Sequence, residues 1–230
     1  MQYLCIIPAR SGSKGIPLKN IIDLCGKPMI SYTIEIASKL KKIGYVEKVI
    51  VSTDCSKIAE ISKSYGAEVP FLRPKEIAGD KAKSIDFVLH SINYYEEIGI
   101  SFDAIMVLQP TSPLKSLDDV KETIEIFNQS SNDSLISTYK EETINDTIMY
   151  HKIGGKAIPL NENHNRGYRR QDHGNIYIRN GAIYITKVSY IKKKKRIISK
   201  APEMYVMAKE RSINIDSFED LNTVRNLLCK

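Results

Sequence analysis

Five apolar runs constrain this chain most: YLCIIP at 3–8, VEKVIVS at 46–52, DAIMVLQ at 103–109, SLISTY at 134–139 and AIYIT at 182–186. Several are nearly continuous in apolar, β-branched residues. A strand with one wetted face alternates apolar and polar positions, so these runs predict strands covered on both faces. Covering both faces of a sheet takes helices, and the text between the runs supplies them. PMISYTIEIASKLKK sets Pro28 at a first-turn position and closes on lysines that complement a helix C-terminus. KSIDFVLHSINYYEE places Ile85, Val88, Leu89 and Ile92 on one helical face. SLDDVKETIEIFNQ opens with Ser116 and Asp119, a reciprocal cap, and turns Val120, Ile124 and Phe127 inward; SFEDLNTVRNLLCK repeats the device with Ser217 and Asp220. Strand alternating with helix predicts an α/β fold, three layers about a mainly parallel, Rossmann-like sheet. With 230 residues and 42% hydrophobic content the chain fills one sizeable core, so one domain is expected across 1–230.

One stretch breaks the rhythm. From Thr143 to Ile178 the text is polar and mixed, with Gly154-Gly155 as a hairpin turn. Ile148, Met149, Tyr150, Ile153, Ile158, Tyr177 and Ile178 still give it apolar contact surface. That argues for a small strand-containing arm at 143–178 that packs on another surface, with a second subunit among the candidates, rather than for disorder.

In an open parallel sheet, ligands bind beyond the carboxyl ends of the strands. Four groups lie there: the loop from Arg10 to Asn20, Ser52-Thr53-Asp54, Gln109-Pro110-Thr111-Ser112-Pro113, and Asn214-Ile215-Asp216. Fold geometry brings them to one rim, where they offer cations suited to phosphate, hydrogen-bonding side chains and a carboxylate able to hold a metal. The glycines of the first loop let backbone approach a ligand closely. This loop is neither GxxxxGK[ST] nor GxGxxG, so ordinary ATPase and dehydrogenase readings lose their support. The formal charge of +7 suits a polyanionic partner, either nucleic acid or small acidic metabolites.

PARSGSKGIPLKN, directly after a first strand, closely resembles the signature of the acylneuraminate cytidylyltransferases, also called CMP-sialic acid synthetases. The resemblance continues in order and spacing through GKPMISYTIEIA, VIVSTD, FLRPKEIAGDKAKS, LQPTSPL, RRQD, NGAIYI and SINIDSFEDL. SGSKGIPLKN fits the sialic-type branch better than the branch acting on Kdo. The family implies a nucleotidyltransferase that moves a cytidylyl group from CTP to the anomeric hydroxyl of a nine-carbon α-keto acid sugar, releasing pyrophosphate with help from Mg²⁺. N-acetylneuraminic acid is the first expectation for the acceptor. Legionaminic and pseudaminic acids share its carboxylate and anomeric centre and stand as alternatives, as does another acidic sugar. The family also implies a homodimer whose arm reaches into the neighbouring site.

Residue by residue, the resemblance sets CTP against the first loop. Arg10, Ser13, Lys19 and Asn20 match positions for triphosphate and cytidine, and Lys14 either assists them or faces solvent. Arg10 and Lys19 would offset the charge gathering on the leaving pyrophosphate, and with Asp216 they form the expected catalytic set. Arg73 and Ser84 match base-side and ribose-side positions. Asp216 matches the carboxylate for Mg²⁺, and Asn214 stands where the family usually has a second aspartate, bringing less charge to the metal. Gln109, Arg170, Tyr177, Asn180 and Tyr184 match acceptor contacts, with Arg170 suited to grip the sugar carboxylate. Where the family often carries a lysine, near 146, this chain reads TINDT.

The remaining chemistry-bearing residues have local readings. Asp54 reads as a helix N-cap and Asp80 as a turn former. His90, His151, His164 and His173 lack metal-like spacing and are taken as structural. IKKKKR at 191–196 reads as a solvated charge run, and without interleaved aromatic residues it predicts no nucleic-acid partner. Cys5, Cys25, Cys55 and Cys229 are widely spaced and read as reduced thiols. No apolar stretch approaches the roughly 20 residues of a membrane span. The N-terminal run reads as a strand rather than a signal segment, so a cytoplasmic protein without a membrane partner is expected.

Overall fold

The computed structural model describes residues 1–13, 15–144, 146–167 and 174–229. Its strands, in chain order, are β1 (Tyr3–Pro8), β2 (Asp23–Leu24), β3 (Lys27–Pro28), β4 (Lys48–Ser52), β5 (Ala104–Leu108), β6 (Ser134–Glu141), β7 (Tyr150–Ile153), β8 (Lys156–Pro159), β9 (Ile176–Lys187) and β10 (Glu203–Met207). Six of them form the main sheet in the order β10-β6-β9-β5-β1-β4. β1 runs parallel to β4 and β5, and β10 parallel to β6. β9 lies between β5 and β6 and is antiparallel to both. The reason is the path of the chain. β6 delivers it to the carboxyl rim, the arm is built there, and the return strand must run down through the sheet. That puts the first residues of β9 on the rim.

The helices are α1 (Met29–Lys42), α2 (Ser56–Ser64), α3 (Ser84–Glu97), α4 (Leu117–Gln129), α5 (Val188–Lys194) and α6 (Phe218–Leu228). Along β1, Tyr3, Cys5 and Ile7 face one core, with Ile30 and Ile34 of α1 and Val120, Ile124 and Phe127 of α4. Leu4 and Ile6 face the other, with Phe87, Val88 and Ile92 of α3 and Ile191 of α5. Both faces of the strand are therefore apolar, as its unbroken hydrophobic text requires, and the three layers follow. Each such buried side chain contributes about 1.5–3 kcal/mol. Both expected caps form: Ser116 and Asp119 open α4, and Ser217 and Asp220 open α6. A third cluster joins Ile16 of the first loop to Leu24, Ile215, Leu221 and Val224, and so packs the loop against the C-terminal segment.

Three features depart from the sequence expectations. β10 is a strand beyond the five expected and lies at the sheet edge: Tyr205 and Met207 point inward while Met204 and Val206 stay exposed. The lysine run is largely the end of α5, where cations complement the helix dipole. Cys25 and Cys229 are joined in a disulfide, with Cα atoms 5.5 Å apart, because the β2–β3 turn abuts the end of α6. Buried Cys5 and half-buried Cys55 remain free thiols, as expected. No described helix is long and apolar enough to cross a membrane.

Within the expected arm, β7 and β8 pair as a hairpin. Gly154 and Gly155 occupy its two turn positions with φ of 55° and 79°, the left-handed pair that a two-residue hairpin favours.

Candidate functional site

The loop after β1 is held by its neighbours before any ligand arrives. The Ala9 N–H donates to the Ser52 carbonyl at 2.9 Å. The backbone N–H and hydroxyl of Ser11 both donate to the Asp54 carboxylate, the former at 2.8 Å. Asp54 is thus a brace for the first loop rather than the cap of α2, whose N-cap position is Cys55. Burial pushes the Asp54 pKa up, but the Ser11 hydrogen bonds outweigh it and hold the carboxyl below its ordinary range. Asn20 donates from its amide to the Arg10 carbonyl at 3.0 Å. A Cβ at Gly15 would lie 2.4 Å from the Asp216 carbonyl oxygen, so only glycine lets the loop approach the C-terminal segment this closely.

The braced loop walls a cavity of about 530 Å³ into which Arg10, Ser13, Lys19, Asn20, Arg73, Ser84 and Asp216 all project. These are the described members of the nucleotide and metal sets except Asn214; Lys14 lies outside the described residues. Two cations are compensated by carboxylates on the same wall: Arg10 pairs with Asp80 at 2.8 Å and Lys19 with Asp216 at 2.7 Å. Lys19 also donates to the Ile215 carbonyl at 2.8 Å. Asp80 lies in a turn, as expected, where the Ala82 N–H donates to the Gly79 carbonyl at 3.1 Å, and it also serves as the partner of Arg10.

Arg73 differs, being only 6% exposed. Its guanidinium donates to the Ser52 hydroxyl and carbonyl and sits 4.9 Å from the Phe87 ring centre. No carboxylate pairs with it at ion-pair distance among the described residues. Burial pulls its pKa down to about 10, against the raising influence of Asp54. A guanidinium so placed suits an acceptor-rich ligand, and the N-terminus of α3, at Ser84, adds its dipole to the same wall.

A second cavity of about 500 Å³ adjoins the first and shares Gln109 and Thr111 with it. Its other walls include Tyr139, Arg179, Asn180, Tyr184 and Asn214. Asn180 is buried and its amide is occupied: it accepts from the Ser137 hydroxyl at 2.6 Å and donates to the Ser212 hydroxyl at 2.9 Å. It is a strut that fixes the bend of β9 where the pairing with β6 shifts register. Gly181, at φ +78°, then brings the backbone against the Tyr184 hydroxyl, where a Cβ would sit 3.6 Å from it. Tyr177 is 37% exposed and outside both cavity walls, and Arg170 lies outside the described residues. Arg179 was missed in the sequence, Thr111 was placed only in the rim group, and Asp80 was read only as a local turn residue. Arg179 stood beside NGAIYI, and period-2 counting along β9 from Tyr177 would have found it only if β9 had been traced to its start.

Asp216 lines the first cavity, and Asn214, two residues before it, lines the second; the Asp216 side chain is 70% exposed. Lys19 holds one carboxylate oxygen and the Asn214 amide the other. Among the described residues no three His, Cys, Asp or Glu side chains converge as an all-protein metal cage. Mg²⁺ commonly takes one or two carboxylates and fills its sphere with phosphate oxygens and water, so a single open carboxylate beside a cationic cavity fits that ion.

Comparison with known proteins gives a family model, described as cytidylyltransferase, that matches residues 4–229. The pseudaminic acid cytidylyltransferase of Campylobacter jejuni is 33% identical over 227 residues, 99% of this chain and 96% of that protein. The N-acylneuraminate cytidylyltransferase of Streptococcus agalactiae is 36% identical over 223 residues, 96% of this chain; the chain spans about half of that longer relative, 52%. Among solved structures, a CMP:2-keto-3-deoxy-manno-octonic acid synthetase complexed with CTP superposes with a TM-score of 0.72 at 17% identity, covering 99% of this chain and 98% of that one. At that identity the likeness speaks for the fold.

Proposed function

The chain belongs to the acylneuraminate cytidylyltransferase family, and we propose that it transfers CMP from CTP to the anomeric hydroxyl of an acidic nine-carbon α-keto sugar, releasing pyrophosphate. One observation carries this reading. Two cavities of similar size meet at Gln109 and Thr111, one cationic and sized for a nucleotide, and the 214–216 segment, bonded to Thr111, gives Asp216 to the first and Asn214 to the second.

In the proposed reaction, Arg10 and Lys19 exchange their carboxylate partners for phosphate oxygens of CTP. Breaking the exposed Arg10–Asp80 pair is cheap, since such pairs contribute about 0–1 kcal/mol, while the more buried Lys19 keeps its bond to the Ile215 carbonyl. The acceptor hydroxyl gives up its proton to water as its oxygen bonds to the α-phosphorus and the bond to the bridging oxygen breaks, and the negative charge that develops on the leaving pyrophosphate meets the two cations. Arg73, Ser84 and the N-terminus of α3 hold the nucleoside side. Asp216, with Asn214 beside it, would hold Mg²⁺, which when bound supplies positive charge to the phosphate oxygens. Gln109, Asn180 and Tyr184 shape the acceptor cavity, and Arg179 gives it a cation for the sugar carboxylate, a task Arg170 is proposed to share, with Tyr177 as a further acceptor contact from outside the cavity wall.

Sialic, pseudaminic and legionaminic acids all satisfy this chemistry. The full-length match to a pseudaminic enzyme and the partial match to an N-acylneuraminate enzyme support the class in common. We assign the arm to pairing with a second copy of the chain, supported by its outward apolar residues: Ile148 is 57% and Ile153 61% exposed. A reaction that consumes CTP is expected in the cytoplasm.

Pyrophosphate release tests the reading. CTP, UTP, ATP and GTP are each presented with Mg²⁺ and N-acetylneuraminic, legionaminic, pseudaminic or Kdo acid. Turnover with CTP and a nine-carbon acid is expected. Absence of turnover in every combination would overturn the proposal.

A further inference from the structure

The turn Gln109–Pro113, which separates the two cavities, lies between prolines that bring no N–H of their own. Within it the Ser112 N–H donates to the Gln109 carbonyl at 3.3 Å, and further donors come from outside the turn. Lys115, just past the turn, folds back beneath it and donates to the Gln109 carbonyl at 2.8 Å, the Ser112 carbonyl at 2.9 Å and the Thr33 hydroxyl of α1 at 2.7 Å. It is 3% exposed, and its three donors meet three acceptors. Burial pulls its pKa down to about 7, against raising influences from Cys5 of β1 and Asp119 of α4. Asp119 is itself tied to Arg211. A buried amine is costly, so its presence calls for a compensating purpose.

That purpose follows from what the turn carries. Gln109 and Thr111 are the residues the two cavities share. The Thr111 carbonyl also accepts from the Ile215 N–H at 2.7 Å, between Asn214 and Asp216. One side chain thus braces the partition between the cavities and, through it, the segment bearing the exposed carboxylate. Building on the activity proposed above, we infer that Lys115 is a positioning residue: it fixes the partition so that the acceptor hydroxyl and the α-phosphorus are held in register. It touches neither substrate, so its effect belongs in the rate of transfer rather than in nucleotide affinity.

Lys115→Met keeps most of the side-chain volume and removes the donors. The expected result is a fall in kcat of about tenfold or more, with the Kd for CTP within about twofold of wild type. Amide hydrogen exchange in the unliganded protein should quicken at Thr111, Ser112 and Ile215 while the α3 amides stay protected. Thr33→Val removes one acceptor and nearly preserves shape, giving a second test that does not depend on the first variant folding. It should show the same pattern at smaller amplitude. Wild-type exchange and kcat in the variant that folds would overturn the inference, as would CTP affinity falling in step with kcat. Exchange needs no substrate, and wild-type turnover is the reference for kcat. An inert wild type would therefore sink the proposed activity while the exchange data still judged the brace.

Discussion

The two cavities are walled in different ways. The nucleotide side is built from the exits of neighbouring parallel strands, and its parts are bound to one another: Ser11 to Asp54, Asn20 to the Arg10 carbonyl, Gly15 against the Asp216 carbonyl, Lys19 to Asp216. The acceptor side rests on the rim end of the one antiparallel strand, β9. Asn180 is locked there, but Arg179 and Tyr177 are exposed, and the hairpin beyond is apolar and outward-facing. Phosphate chemistry has one geometry, and a closed, self-bracing wall serves it. Under the proposed reaction, the side that would discriminate among sugars is built on the more open part of the fold.

The sharpest way to break this contrast is at the junction. Asp216→Ala removes the only described carboxylate of the 214–216 segment. Turnover should fall by about a thousandfold or more, while CTP binding by calorimetry changes only a few-fold. Retained turnover would place the metal elsewhere and dissolve the distinction between a binding wall and a reacting junction.

Next in size is the close approach at Gly15. A methyl there meets a backbone carbonyl at 2.4 Å, so Gly15→Ala must push the loop from the C-terminal segment. We expect kcat/KM to drop by about a hundredfold. Gly12, with open space around the position of a Cβ and no positive φ, should accept alanine with little effect. Equal losses in both variants would mean that loop flexibility, rather than contact with Asp216, is what the glycines supply.

On the acceptor side, Arg179→Ala should raise the acceptor KM by about tenfold, the cost of one charge-assisted contact, and leave the KM for CTP alone. A shift in both would show that the partition at Gln109 and Thr111 does not insulate the cavities.

The sides also differed in how far the sequence disclosed them. The loops of the first cavity were legible because they follow apolar runs at once, which is a local pattern, whereas its individual side chains, Arg73 and Ser84 among them, were named through the family resemblance. What escaped was non-local. Asp54 looked like a cap because a cap needs only neighbours, whereas its partner Ser11 is 43 residues away. Cys25 and Cys229 are 204 residues apart, and nothing in their spacing announces the bond. Lys115 drew no reading, since only the folded turn shows the carbonyls it meets. β10, short and at the sheet edge, drew none either. The acceptor side was legible in identity more than in arrangement: Asn180 was named as a contact, yet its amide is held within the fold.

The smallest effect concerns where the open half begins. Glu141 ends β6, its side chain only 2% exposed, and receives the Thr143 N–H at 2.7 Å, the Thr143 hydroxyl and the Lys209 ammonium at 2.9 Å. The Thr143 hydroxyl and Lys209, by bonding to the ionised form, hold its pKa at about 2 rather than the ordinary 4.5. A carboxyl depressed by folding stabilises fully above its unfolded pKa and loses that contribution as pH falls through the folded one. Wild type should therefore exceed Glu141→Gln in stability at neutral pH, with the difference shrinking between about pH 4.5 and about pH 2. Denaturant midpoints across that range measure it, and exchange at the Thr143 amide locates it. CTP affinity at neutral pH should be the same in both proteins. Were it to fall with the midpoint, the root of the arm would be coupled to the nucleotide wall, and the two halves would have to be treated as one cooperative unit.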